Sequence, residues 1–224
     1  MWSLMRAGRK QLALVAVALI LVACGRKPRI MASGIPRVGA EEAGIASWYG
    51  HPYHGRPAAN GEIYDMEKMT AAHRTLPFDT WVRVESLVNR KSVEVRITDR
   101  GPFVDGRIID LSRSAARAID MIGPGTAPVR LRVIRAPETA PGAEDDFAVQ
   151  VGAFLDKNNA AALRREMERA WGTARVTERP GEPVMWRVLV GRERTMEAAR
   201  ELAERIRRDG AQAFVVRVDA PARQ

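Results

Sequence analysis

The chain has one cysteine, Cys24, in 224 residues. A single thiol closes no intrachain disulfide, so the fold is not a cross-linked scaffold and must bury its own core. Histidine is almost as scarce, three in all. Two of the three stand in His51-Pro52-Tyr53-His54, but a metal needs a third and fourth ligand that the pattern does not supply. Neither a metal nor a cofactor is expected. The apolar run Leu12 to Val22 falls well short of the ~20 residues that cross a bilayer as a helix. Acidic side chains are in the minority, 27 against 36 basic, for a formal net charge of +9. Such a balance suits nucleic acid, anionic lipid or an acidic polymer. Much of the excess is arginine on helical faces, where solvation alone explains it, and charge by itself decides nothing.

The short apolar run reads as part of an address. Arg6, Arg9 and Lys10 precede it and Leu21-Val22-Ala23-Cys24-Gly25 ends it, the layout of an export leader. A small residue before the lone cysteine resembles the bacterial lipoprotein signal, which is cleaved before Cys24 and lipidated there. Residues 1–23 are therefore expected to be the leader, and residues 24–42, basic and then Gly/Pro-punctuated, a tether. The resemblance implies a membrane partner through the lipid. Gly25 in place of an acidic residue implies, by analogy with enterobacterial sorting, the outer membrane. Export argues against nucleic acid and toward the anionic cell wall. About 200 residues remain, enough for one large or two small domains. Ala136 to Asp146, rich in Pro, Gly, small and acidic residues, has no periodicity, which predicts a linker over 137–146.

In the first domain, 43–136, short strands alternate with turns. Gly44–Gly50, Thr80–Leu87, Ser92–Asp99, Gly106–Leu111 and Val129–Arg135 read as strands. Asn89-Arg90-Lys91 makes a hairpin of the second and third, and Ser112 caps a helix over 113–120. Many short strands with one small helix predict a closed β-barrel. Three polar residues stand out. Glu62 follows the turn dipeptide Asn60-Gly61, His73 falls on a short connection, and Asp99 closes Ser92–Asp99 on the face of Val93, Val95 and Ile97. Two carboxyls and a histidine converging on one place are the material of acid/base chemistry.

The motifs Ala46-Ser-Trp-Tyr-Gly50, Ala59-Asn-Gly-Glu62, Thr70-Ala-Ala-His-Arg-Thr-Leu-Pro77, Asp99-Arg-Gly-Pro-Phe103 and Arg107-Ile-Ile-Asp-Leu-Ser112 resemble the rare lipoprotein A family. Ala58, Asp79 and Thr98 depart from its usual residues. The resemblance implies a six-stranded double-psi β-barrel, related to barwin and the expansins. It also implies lytic transglycosylase activity on peptide-free glycan strands, which cleaves N-acetylmuramic acid from N-acetylglucosamine and leaves a 1,6-anhydro end. On it, Glu62 and Asp99 are the essential acids and His73 the third polar member of the cleft. Asp99 on the apolar phase is read as the acid and Glu62 as the base, although the sequence does not order the two. Arg100 is expected at the substrate, Trp48 and Tyr49 fit either the core or a sugar platform, and Asp110 is read as an anchor for the helix after it.

The second domain, 147–219, contains a repeat. Val149-Gln-Val-Gly152 recurs as Val188-Leu-Val-Gly191, and at the same offset Leu163 answers Leu202, Met167 answers Ile206 and Val176 answers Val215. Each copy reads strand, helix, strand, with Leu163, Met167 and Ala170 lining one helix and Ala199, Leu202, Ala203 and Ile206 the other. Two copies give an α+β ferredoxin-like βαββαβ unit with both helices on one face. Val149, Val151, Val188 and Val190 should meet those helices, leaving Ala148, Gln150, Gly152, Arg187 and Leu189 on an open face. Phe147–Phe154 and Trp186–Gly191 resemble the SPOR domain, which binds denuded peptidoglycan at division septa. Gln150, Phe154 and Arg187 are the contacts this implies, with Ala153 and Arg192-Glu193 as departures. The open strands lack the aromatic pairs that stack RNA bases. The expected partner is the glycan strand, and no division protein is specified. A non-catalytic, expansin-like wall-binding protein is the alternative.

Overall fold

Alternation builds the first domain: Val82, Val84, Val93, Val95 and Ile97 are all buried, while Arg83 and Glu94 between them point outward and pair. The structure, a computed structural model, describes residues 36–137, 146–179 and 183–218. Cys24, the leader and most of the tether and linker lie outside them. Six strands, β1 (Glu41–Tyr49), β2 (Thr70–His73), β3 (Trp81–Ser86), β4 (Ser92–Asp99), β5 (Arg107–Ser112) and β6 (Thr126–Arg135), close into a barrel in the order β1-β5-β2-β4-β3-β6. The β1–β5 and β2–β4 pairs are parallel and the rest antiparallel. Closure leaves no free edge. The expected hairpin forms, with Arg90 at φ 64° and Asn89 Oδ1 accepting from Lys91 N. Ser112 caps α1 (Arg113–Ala118) by accepting from Ala115 N. The barrel starts two residues inside the expected tether. His73 ends a strand and does not sit on a connection.

The second unit runs β7 (Asp146–Phe154), α2 (Lys157–Trp171), β8 (Ala174–Arg179), β9 (Met185–Glu193), α3 (Met196–Arg208) and β10 (Phe214–Val218), with sheet order β10-β7-β9-β8, all antiparallel. Asp156 and Thr195 cap the two helices. Val149, Val188, Val190, Met167, Leu202 and Ile206 form the core between sheet and helices. Two expectations change. Ala170 is exposed and lines nothing. Gly152 lies toward the helices, because the β7–β9 register shifts between Gln150 and Gly152 and such a bulge re-aims the residues after it.

The repeated glycine has a packing reason. A Cβ on Gly152 would stand 2.8 Å from Leu163 Cδ2, and one on Gly191 would stand 2.6 Å from Leu202 Cδ2. In each copy the glycine lets its own helix's leucine reach the sheet. Gly191 also holds φ +73°, where an L side chain is strained. Gly191→Ala is expected to destabilise the protein by about 3 kcal/mol, strain and overpacking together, and Gly152→Ala by about 1 kcal/mol, since only flexible side chains must move there. Urea unfolding of the two variants checks the order.

The units are not independent. The barrel's apolar cluster runs on into Phe147, Met196 and Ala199 of the second unit. The sheet face opposite the helices is not open: Ala148, Leu189 and Val216 are buried there against Phe103 of the barrel, and Gln150 is 3 % exposed.

Candidate active site

Ala72 organises the site. It is the register partner of Asp99 on β4 and of Asp110 on β5, so the two acids flank one small residue, two strand spacings or about 10 Å apart at Cα. Both line a cleft of about 290 Å³ with Ser47, Trp48, Tyr49, Tyr53, Ala72, Arg107 and the turn Arg100–Phe103. Asp99 arrives there through a bulge. The β2–β4 register shifts between Ala71 and Ala72, so that Ala71 faces Ile97 but Ala72 faces Asp99. Strict alternation would have put Asp99 on the core face with Ile97. The extra residue turns it into the cleft.

Asp99 is nearly enclosed, 5 % exposed. Its Oδ1 accepts from Ala59 N at 3.0 Å and Arg100 N at 2.7 Å. Arg179 Nη2, from the second unit, meets Oδ1 at 3.0 Å and Oδ2 at 2.9 Å. Asp110 lies beside Ser47 on β1, whose hydroxyl donates to Asp110 Oδ1, with Arg107 3.8 Å away. Burial pushes the Asp110 carboxyl above its ordinary value, the nearby Asp99 charge adds to this, and Ser47 and Arg107 only partly offset it. Gly101, at φ +152°, passes so close that a Cβ there would be 3.6 Å from Asp110 Oδ2.

Glu62 stands apart from that pair. Its loop is tied to the site by Ala59 N on Asp99 and Asn60 N on Thr98 O, but Glu62 is not among the residues that line the cleft. The carboxylate turns outward to Arg96, with both oxygens bonded at 2.6–2.8 Å, and Arg96 also holds Asp79. The Arg96 guanidinium keeps the Glu62 carboxyl below its usual range. The second acid lining the cleft is Asp110.

His73 does not face the cleft. Strand alternation points Ala72 inward and His73 to the other side, where it is 4 % exposed. Its Nδ1 accepts from Thr75 N and Leu76 N, which leaves Nε2 to donate to Glu42 Oε2 at 3.3 Å. His73 is not among the residues that line the cleft. Arg100 lines the cleft, while its guanidinium donates to His73 O and Leu76 O and stacks 3.8 Å over Phe78. Trp48 packs on the barrel core and also lines the cleft. Tyr49 stacks on Tyr64 at 4.3 Å, and its buried hydroxyl has no partner among the described residues. Burial first, then Asp99, pushes that hydroxyl's pKa well up, so it stays a donor. In the second unit Phe154 faces the helix layer beside Leu163, away from any ligand on the other side. Gln150 and Arg187 remain on the side of Leu189.

Residues 41–131 match the lytic transglycolase double-psi barrel family and residues 143–217 the SPOR domain. The chain is 58 % identical over 97 residues to the endolytic peptidoglycan transglycosylase RlpA of Campylobacter jejuni, covering 43 % of this chain and 35 % of that protein. Over its barrel the chain is similar to the RlpA proteins. The RlpA of Neisseria meningitidis is 45 % identical over 122 residues, covering 54 % of this chain and 51 % of the relative. The chain thus spans between a third and a half of these RlpA proteins. Among solved structures, the apo expansin of Clavibacter michiganensis aligns over 81 % of this chain and 92 % of its own at 15 % identity and a TM-score of 0.36. The fold is a double-psi β-barrel followed by an α+β SPOR domain. Asp110, read from the sequence as an anchor for the following helix, lines the cleft. The available signal was an acid set among Ile108, Ile109 and Leu111.

Proposed function

We propose that the barrel is an endolytic lytic transglycosylase of the cell envelope, cleaving peptide-free glycan strands between N-acetylmuramic acid and N-acetylglucosamine and leaving a 1,6-anhydro end. The observation that carries this reading is the pair of carboxyls, Asp99 and Asp110, converging on one cleft, with burial favouring the protonated form of Asp110. A glycosidic oxygen leaves when it is protonated as its bond breaks. Asp110 supplies that proton. Asp99, already oriented by the N–H groups of Ala59 and Arg100, accepts the proton of the attacking 6-hydroxyl, so the substrate provides its own nucleophile and water is not consumed. Tyr49 donates to a sugar oxygen, and Trp48 offers a ring for stacking. Glu62 holds a negative charge on the loop bonded to Asp99, against the positive charge that develops on the sugar ring. The SPOR domain keeps the enzyme on its polymer and raises local substrate concentration. Cys24 carries the lipid that anchors it, facing the periplasm.

Mass spectrometry of products from amidase-treated glycan strands tests the reading. Anhydro ends are expected. Reducing ends would indicate a hydrolase, and intact strands a wall-binding protein. Glu62→Gln is expected to lower kcat about 10- to 100-fold, the scale of losing one charge aimed at the transition state, with the pH profile unmoved. An altered acidic or basic limb would make Glu62 one of the proton-transfer pair.

A further inference from the structure

The two surfaces that the proposed function assigns to glycan are turned on each other. Arg179, at the end of β8, enters the cleft 80 residues away in sequence and occupies both oxygens of Asp99. With Ala59 N and Arg100 N on Oδ1 as well, the only acceptor position left on the carboxylate is on Oδ2, beside the Arg179 guanidinium. The sheet face that would bind a strand is closed by the same contact. Phe103, next to the cleft, packs on Ala148, Leu189 and Val216 and meets the Phe214 ring edge-on at 6.1 Å. Arg217 N donates to Arg74 O at 3.1 Å, so the edge of the second sheet is bonded to the barrel.

This contact is imperfect in one respect. Gln150 Oε1 is buried in it with no hydrogen-bond partner among the described residues. A buried acceptor without a donor opposes the state that buries it. Sugar hydroxyls are the donors it lacks. We infer that this arrangement is a self-inhibited state, in which Arg179 plugs the active site and the SPOR sheet seals against the barrel, and that a peptide-free glycan strand opens it by competing for both faces. The inference rests on the glycan reading of the cleft and sheet. Its consequence is an enzyme silent in transit and active where its polymer is exposed, because the strand binds only the open form and shifts the population to it.

The test uses the full chain and purified peptide-free strands. Arg179→Gln is expected to cleave strands about tenfold faster at low substrate, within the range usual for coupling between two sites, with unchanged products. A rate equal to the parent's, or lower as for a substrate-binding arginine, overturns the inference. The second readout needs no turnover. Hydrogen exchange over residues 214–218, which contain the Arg217–Arg74 bond, is expected to accelerate in Arg179→Gln and when strands are added to the slow-cleaving Asp110→Asn variant. Strands that leave this segment protected overturn the gating. Strands that open it without being cut by any form support the gating and overturn the activity.

Discussion

Asp99→Asn is expected to silence strand cleavage by about 10²- to 10⁴-fold, the usual worth of a positioned proton transfer. The substitution is nearly isosteric. Asparagine keeps the oxygen that accepts from Ala59 N and Arg100 N, so the loop carrying Glu62 stays in place and the loss is chemical. It also removes the charge that Arg179 meets, and an arginine left without its carboxylate in a mostly dry contact favours separation of the two units. The variant should therefore bind glycan strands at least as well as the parent while failing to cut them. A cleavage assay beside a strand-sedimentation assay reads both. Turnover near the parent's rate removes Asp99 from the mechanism, and a lower melting temperature with lost binding would reassign it to the fold.

Asp110→Asn has the second largest expected effect, and it separates function from stability. Loss of the proton donor should reduce kcat by about 10²-fold or more. Stability moves the other way. Burial raises the Asp110 carboxyl above 3.8 in the folded state, so the folded protein binds this proton more tightly than the unfolded chain does. That stabilisation is complete below 3.8 and is lost as pH rises through the raised folded value, because a largely buried carboxyl is costly to ionise. Asparagine removes the burden and can still accept from Ser47. The variant is expected to exceed the parent by about 1 kcal/mol in urea unfolding at neutral pH, the usual gain where an active site is built against stability. The gap should close toward the acid end. A parent more stable than the variant at neutral pH would mean that Arg107 and Ser47 outweigh burial.

These two aspartates show how far local pattern reaches. Period-two alternation located β4 to the residue, and the strand end at Asp99 stood out as an acid in an apolar phase. Alternation alone assigned it to the core face, because the bulge opposite Ala72 depends on β2, more than twenty residues earlier. Asp110 was visible as an acid between apolar neighbours. Its role was not, since nothing local says that β2 lies between β4 and β5 and brings both acids to Ala72. His73 failed for a related reason: its place within four consecutive buried residues, Thr70 to His73, gives no parity to read.

By itself the sequence determined the elements other than β2, the two-unit division, the repeat with its paired glycines and helices, the cap at Ser112 and the family motifs. All of these rest on interactions within a few residues or on a regular period, which a chain carries wherever it is placed. Only the tertiary structure decided which acids share a cleft, that Glu62 turns to Arg96, and that Arg179 reaches Asp99 while the expected open sheet face lies against Phe103. Those contacts join residues 34 to 80 positions apart or more. They are set by strand order, one register shift and the packing of two units, and no local preference encodes any of the three.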